Sequence, residues 1–197
     1  NDVLRYVQTG LAPSGVTGLP NSPKAHLIHS LCEDLSRRAI VVLPDEASAR
    51  KFTADANEFA GLGKKAYFYP ARDYSFNTSQ GQSREYEQIR LNTLCNVLND
   101  NYCMVVCSAE SALQLTIPPE ELKKRTFKID YSTEVSSDKL IDILTSAGFK
   151  RSDMVEGPGQ FAVRGGILDV WSLTAEDAVR IDFWDDEIDT IRSMDAQ

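Results

Sequence analysis

Val179-Arg180-Ile181-Asp182-Phe183-Trp184 alternates with period two, the pattern of a β-strand with one face against a core. Val179, Ile181 and Phe183 take the core side. Arg180, Asp182 and Trp184 take the other side, toward water. Upstream, Phe161 and Val163 point inward and Arg164 outward, just before Gly165-Gly166, a pair that permits a bend or bulge in the sheet. Three more strand-like segments flank these two, Phe149 to Val155, Ile167 to Trp171 and Ile188 to Met194. With no helix between them, five consecutive strands predict a mainly antiparallel sheet.

Moving toward the amino end, Ser136 to Ala147 reads as a helix closed by Gly148, Phe127 to Tyr131 as a strand, and Pro118-Pro119 as the start of a helical turn. Before Ile117 the rhythm changes. Ala25, Ile28, Leu31, Cys32 and Leu35 repeat at helical spacing after a Ser22-Pro23 start signal. Ala39 to Leu43 is an unalternating, β-branched run, the kind of strand that is covered on both faces. A helix capped by Asp45 then runs to about Ala60, where Gly61 and Gly63 end it. A strand at Ala66 to Tyr69, a polar loop from Pro70 to Gln82, a helix from Ser83 to Asn99, a strand at Tyr102 to Cys107 and a short helix from Ser108 complete the series. Alternating strands and helices predict a parallel sheet with helices on its faces. The chain therefore reads as α/β over 1–116 followed by a small α+β domain over 117–197. Its 197 residues, at about 150 per domain, give roughly 1.3 domains, which suits one large or two small ones.

Charge changes at the same boundary. Residues 1–116 carry 11 Lys/Arg and 12 Asp/Glu, whereas 117–197 carry 10 and 17. An acidic balance disfavours tight autonomous binding to nucleic acid, since affinity for a duplex comes from neutralising phosphates. Apolar stretches such as Ala39 to Leu43 are far shorter than the roughly 20 residues of a spanning helix, so no membrane association is expected. The four cysteines, Cys32, Cys95, Cys103 and Cys107, lack C-x-x-C spacing. On one strand Cys103 and Cys107 would lie about 13 Å apart, too far to bridge. Reduced core thiols and a cytoplasmic location follow as expectations, and a chain opening on Asn1 looks like a piece of something longer.

Gly15-Val16-Thr17-Gly18 stands where an α/β nucleotide-binding domain has its phosphate loop. A working loop needs G-x-x-x-x-G-K-[ST], so that backbone N–H groups cradle the phosphates, Lys reaches the terminal ones and Ser/Thr holds the metal. Counting on from Gly15 gives Pro20, Asn21 and Ser22 instead. Gly15, Thr17 and Gly18 thus form a degenerate loop, and neither catalysis nor a cofactor is expected of this stretch. His26 and His29 share a helix, but no acid or Cys pattern completes a metal site, and both read as surface residues. Asp185-Asp186-Glu187 reads as a solvated turn rather than a metal cluster.

Arg and Trp are enriched among binding hot spots, because they cover much area and Arg can fork onto a carboxylate. From alternation alone two readings of Arg164, Arg180 and Trp184 stay open. They are anchors for a partner, or a partly covered edge aromatic with arginines paired to nearby acids.

Gly159-Gln160-Phe161-Ala162-Val163-Arg164-Gly165-Gly166-Ile167-Leu168-Asp169-Val170, followed by Arg180-Ile181-Asp182-Phe183-Trp184-Asp185-Asp186-Glu187-Ile188-Asp189, resembles the signature shared by domain 2 of bacterial transcription-repair coupling factors (Mfd) and the excision-repair protein UvrB. The likeness extends more weakly back to Gly15-Val16-Thr17-Gly18 and to Cys103 to Ser108. Two departures favour the coupling factors over UvrB: the lost Lys and Ser/Thr after Gly18, and a Pro70 to Arg84 segment shorter than the damage-probing hairpin region of UvrB.

The resemblance implies a nucleotide-dead, helicase-like domain 1a at 1–116 and a UvrA-docking domain 2 at 117–197. Arg164, Arg180 and Trp184 would be the UvrA contacts, with Trp where the family commonly has Phe. It further implies a parent protein that is an ATP-dependent DNA translocase, with ATP and Mg in motor domains absent here. RNA polymerase and DNA would be engaged through absent domains, and a C-terminal domain of the parent would mask the docking face. The function so implied is recruitment of UvrA to stalled RNA polymerase for nucleotide excision repair. The alternative is a UvrB-type ATP-dependent damage-recognition or helicase core. On the docking account, Arg180→Ala and Trp184→Ala are both expected to lower UvrA capture while leaving thermal unfolding unchanged.

Overall fold

The computed structural model describes residues 2–10, 13–61, 63–72, 80–175, 177–185 and 187–194, with backbone alone for 80–84. The chain divides into two compact units, Asn1–Thr116 and Ile117–Gln197. In the first, α1 (Asp2–Gln8) and α2 (Asn21–Leu35) precede β1 (Ala39–Leu43), α3 (Glu46–Ala60), β2 (Ala66–Tyr69), α4 (Gln80–Leu98), β3 (Met104–Ser108) and α5 (Ala109–Leu113). The three strands form a parallel sheet in the order β1-β3-β2. Asp45 starts α3 by accepting the Ser48 N–H at 2.7 Å, a bond that holds its carboxyl below the usual carboxylate range. The buried stripe Ala49, Phe52 and Ala56 then lays α3 on Val41, Phe68, Met104 and Val106, and α2 adds Ala25 and Cys32 to the same core.

One strand departs from expectation. Among the described residues, β1 is covered on one face only. Val41 is buried, but Ile40 is 75% and Val42 53% exposed. An unalternating apolar run matches a strand buried on both sides, yet β1 is an edge strand whose helical cover lies on the Val41 side. Composition cannot distinguish the two cases.

The second unit has α6 (Pro119–Lys124), α7 (Ser137–Ser146), β4 (Lys150–Arg151), β5 (Gln160–Arg164), β6 (Ile167–Val170), β7 (Ala178–Trp184) and β8 (Glu187–Met194). Its five strands follow chain order, with β5 to β8 antiparallel. Leu140 and Leu144 of α7, with Val135, close on Phe161, Leu168, Val170 and Ile181 from one sheet face. Burying each such side chain contributes roughly 1.5–3 kcal/mol.

Three local expectations need correction here. Phe127 to Tyr131 is not a strand, because Asp130 folds back to accept the Ser132 N–H and hydroxyl and the Thr133 hydroxyl, which closes a turn. Of Phe149 to Val155 only Lys150–Arg151 pairs, and it does so parallel to β5 rather than antiparallel. Gly165-Gly166 makes neither bend nor bulge. It is the two-residue turn of the β5–β6 hairpin, with Gly165 at φ 59, pairing Arg164 with Ile167. The irregularity sits instead between Asp182 and Phe183, where the register with β8 shifts.

Candidate protein-binding site

In open parallel α/β sheets a ligand binds beyond the carboxyl ends of the strands. Here those ends are tied to one another. Glu46 accepts the Ala71 N–H at 2.6 Å, and Gln114 accepts the Arg72 N–H at 2.6 Å and Arg90 Nη1 at 3.3 Å. Arg90 is 3% exposed, donates to the Pro70 carbonyl and the Tyr69 hydroxyl, and has its guanidinium carbon 4.1 Å from the Tyr69 ring centroid. Gly15, Thr17 and Gly18 lie in the exposed approach to α2, with Gly18 at φ 79. A Cβ added at either glycine would meet nothing within 4 Å. The loop is open.

Other sequence candidates sort as follows. His26 is exposed and meets the Phe59 ring edge-on, but His29 is 3% exposed, correcting the expectation of a surface residue. It lies on the α2 face that packs inward, four residues from Ala25. Asp185, at φ 53, and Glu187 flank the β7–β8 turn, while Asp186 lies outside the described residues, as do residues 73–79 of the segment compared with the UvrB hairpin. Among the described residues no cluster of three His, Cys, Asp or Glu could hold a metal, and no helix is long and apolar enough to cross a membrane. All four cysteines are free thiols, and burial, followed by the neighbouring Cys103, pushes the Cys32 thiol up to about 12.

The outer face of the second sheet, opposite α7, brings the three predicted contacts onto one surface. Strand register sets two rows across it. Arg164, Ile167, Asp182 and Thr190 form one; Ala162, Asp169, Arg180 and Arg192 form the other. Trp184 follows on β7, 78% exposed, and Ile167 and Met154 are also open to solvent at 37% and 53%. Gly166 admits this end of β7 closely, since a Cβ there would stand 3.0 Å from the Phe183 carbonyl.

Both arginines are held by their own chain. Arg164 Nη2 donates to the Asp153 carbonyl at 2.8 Å. Arg180 donates Nε and Nη2 to the two oxygens of Asp169, at 2.6 and 2.8 Å. This hydrogen-bonded pair, helped by its charge attraction, raises the pKa of Arg180. The structure thus divides the two readings: Trp184 is exposed, as an anchor would be, while Arg180 is paired to an acid and Arg164 to a backbone carbonyl. Asp182 accepts from Thr190 and Arg192, and the Thr190 hydroxyl, then Arg192, hold its carboxyl below the usual range.

Sequence reasoning missed Asp169 and Arg192. Asp169 shares the signature segment with Arg164, and the tight glycine turn would have placed it opposite Ala162 on the outer face. Nothing short fixes the β6–β7 register, so its pairing with Arg180 was not available.

The second unit is thus a five-stranded sheet with one face on a helix and the other bearing arginines and an open indole. Residues 127–197, within the second unit, match the family described as the UvrB interaction domain. Over 195 residues, 98% of this chain, it is 28% identical to the transcription-repair-coupling factor of Bacillus subtilis (strain 168), and over 188 residues, 95%, it is 26% identical to that of Staphylococcus aureus (strain MRSA252). It is also 26% identical over 207 residues, covering 99% of the chain and 30% of the relative, to UvrABC system protein B of Chlorobium limicola. The chain spans 16% of the length of either coupling factor.

Proposed function

We propose that this chain is the UvrB-like module of a transcription-repair coupling factor and recruits UvrA to stalled RNA polymerase for nucleotide excision repair. The observation that carries this is Trp184, a large apolar side chain left in water on the sheet face that also carries two arginines, within the stretch that matches the UvrB interaction domain. Leaving an indole exposed forgoes its burial free energy, which a partner's surface recovers. Trp184 is the apolar anchor, while Arg164 and Arg180 donate charge-assisted hydrogen bonds to acidic or carbonyl groups of UvrA.

On this reading the module does no chemistry itself. The first unit is a degenerate, helicase-like domain 1a whose loop at Gly15, Thr17 and Gly18 holds no nucleotide. ATP, Mg, DNA and RNA polymerase belong to other domains of a cytoplasmic parent, one of which masks the outer face. Co-elution of the chain with purified UvrA on a sizing column tests the assignment. Separate elution at micromolar concentrations of both proteins rejects it. The UvrB-type ATPase is the second reading, favoured by the likeness to UvrABC system protein B over 99% of the chain. A rise in melting temperature on titrating ATP with Mg would support that reading.

A further inference from the structure

Arginine offers a carboxylate two edges, a side edge from Nε–H and Nη2–H and an end edge from Nη1–H and the second Nη2–H. Asp169 occupies the side edge of Arg180, with one bond to each of its oxygens, 2.6 Å from Nε and 2.8 Å from Nη2. The Asp169 side chain is only 6% exposed, whereas that of Arg180 keeps 35%. The carboxylate therefore sits inside the sheet surface, with the guanidinium between it and solvent. Its two bonds fix the guanidinium plane, leaving the end edge for an incoming group.

Neighbouring groups hold this arrangement. Arg192 lies opposite Arg180 on β8, a like-charge juxtaposition that would push the two apart. Asp182 takes Arg192 as its own partner, so each of these two arginines has its own aspartate.

We infer that Asp169 is the positioning residue of the docking face, holding the end edge of Arg180 ready to fork onto a carboxylate of the partner. The inference rests on the UvrA-docking reading. Pre-orientation matters because a free arginine side chain loses rotamer entropy when it is fixed. Asp169 has removed most of that loss before the partner arrives. An asparagine in its place keeps the shape but offers one acceptor where two are needed, and turns an N–H₂ toward an N–H donor.

The test measures UvrA affinity and thermal unfolding of the 197-residue chain and its variants in parallel. Asp169→Asn is expected to weaken UvrA binding about tenfold, the equivalent of one charge-assisted hydrogen bond. Arg180→Lys, which keeps a cation against Asp169 but cannot fork, should lose affinity to a similar extent and protects the test if Asp169→Asn does not fold. In an Arg180→Ala background, Asp169→Asn should cost no further affinity, since the residue acts only through Arg180. Full additivity of the two losses marks a merely structural role and overturns the inference. Parent affinity in Asp169→Asn or in Arg180→Lys, when Arg180→Ala is weakened, overturns it and leaves the docking reading standing. Parent affinity in both Arg180→Ala and Trp184→Ala removes the docking reading and the inference with it.

Discussion

The carboxyl end of the parallel sheet and the outer face of the antiparallel one both gather arginine, aromatic and amide or acidic groups, and they use them in opposite ways. Arg90 is 3% exposed, packed on the Tyr69 ring and bonded to Tyr69, Pro70 and Gln114. Arg180 gives one edge to Asp169 and leaves the other in reach of solvent, two residues along β7 from Asp182 and four from the open indole of Trp184. A region whose polar groups answer one another is structural. A region with a fixed cation edge and an uncovered aromatic is ready for something else. Residue types alone do not separate the two; the balance of met and unmet groups does.

The largest expected effect would break the comparison from its sealed side. Arg90→Ala leaves the Tyr69 hydroxyl and the Pro70 carbonyl without that donor and removes the ring contact, a loss of about 3 kcal/mol in urea unfolding. UvrA affinity of the folded chain should not change; a loss of affinity at unchanged stability would mean that the sealed end is also a binding surface. On the open side, Trp184→Ala should weaken UvrA binding by about 1–4 kcal/mol and move unfolding by less than about 0.5 kcal/mol. Calorimetric titration and a thermal melt read the two quantities.

Arg180→Ala sharpens the contrast, because the same side chain serves both purposes. The sequence-based expectation of unchanged unfolding does not hold for it: truncation strands the nearly buried Asp169, at a cost of about 1–3 kcal/mol in stability beside the loss of binding. Trp184 carries no such linkage. A melt in which the two variants behave alike would contradict this difference.

Smaller effects follow from titration. Asp182 in the second unit, and Asp45 in the first, have folded-state pKa values below the ordinary 3.8. The stability they contribute is present above that ordinary value and is lost as pH falls through the lower folded values. Urea midpoints should therefore drop below about pH 4, and Asp182→Asn should flatten part of that drop. Smallest of all, the Cys32 thiol, with its pKa near 12, should stay protonated at pH 8 and react slowly with iodoacetamide until urea unfolds the first unit.

Much of this was legible locally. Period-two alternation put Val179, Ile181 and Phe183 on one side of β7 and Arg180 and Trp184 on the other because side-chain direction in a strand depends only on parity. Asp45 announced the start of α3, since a carboxylate before a helix finds an unpaired N–H there. Phe127 to Tyr131 misled, because alternating apolar and charged residues say nothing of the turn that Asp130 forms with Ser132 and Thr133. Ala39 to Leu43 misled about cover, and His29 about burial, for a related reason: how many neighbours a face receives is not written in the face itself.

The sequence by itself determined the change from alternating strands and helices to successive strands, the departure of Gly15 to Ser22 from G-x-x-x-x-G-K-[ST], and the sides of β7 on which arginine and tryptophan stand. Only the tertiary structure decided that Arg180 faces Asp169 while Trp184 faces water. Pairing between β6 and β7 spans a connection too long to fix register from the chain alone. It is settled where the sheet closes over α7, when Leu168 and Ile181 are buried together.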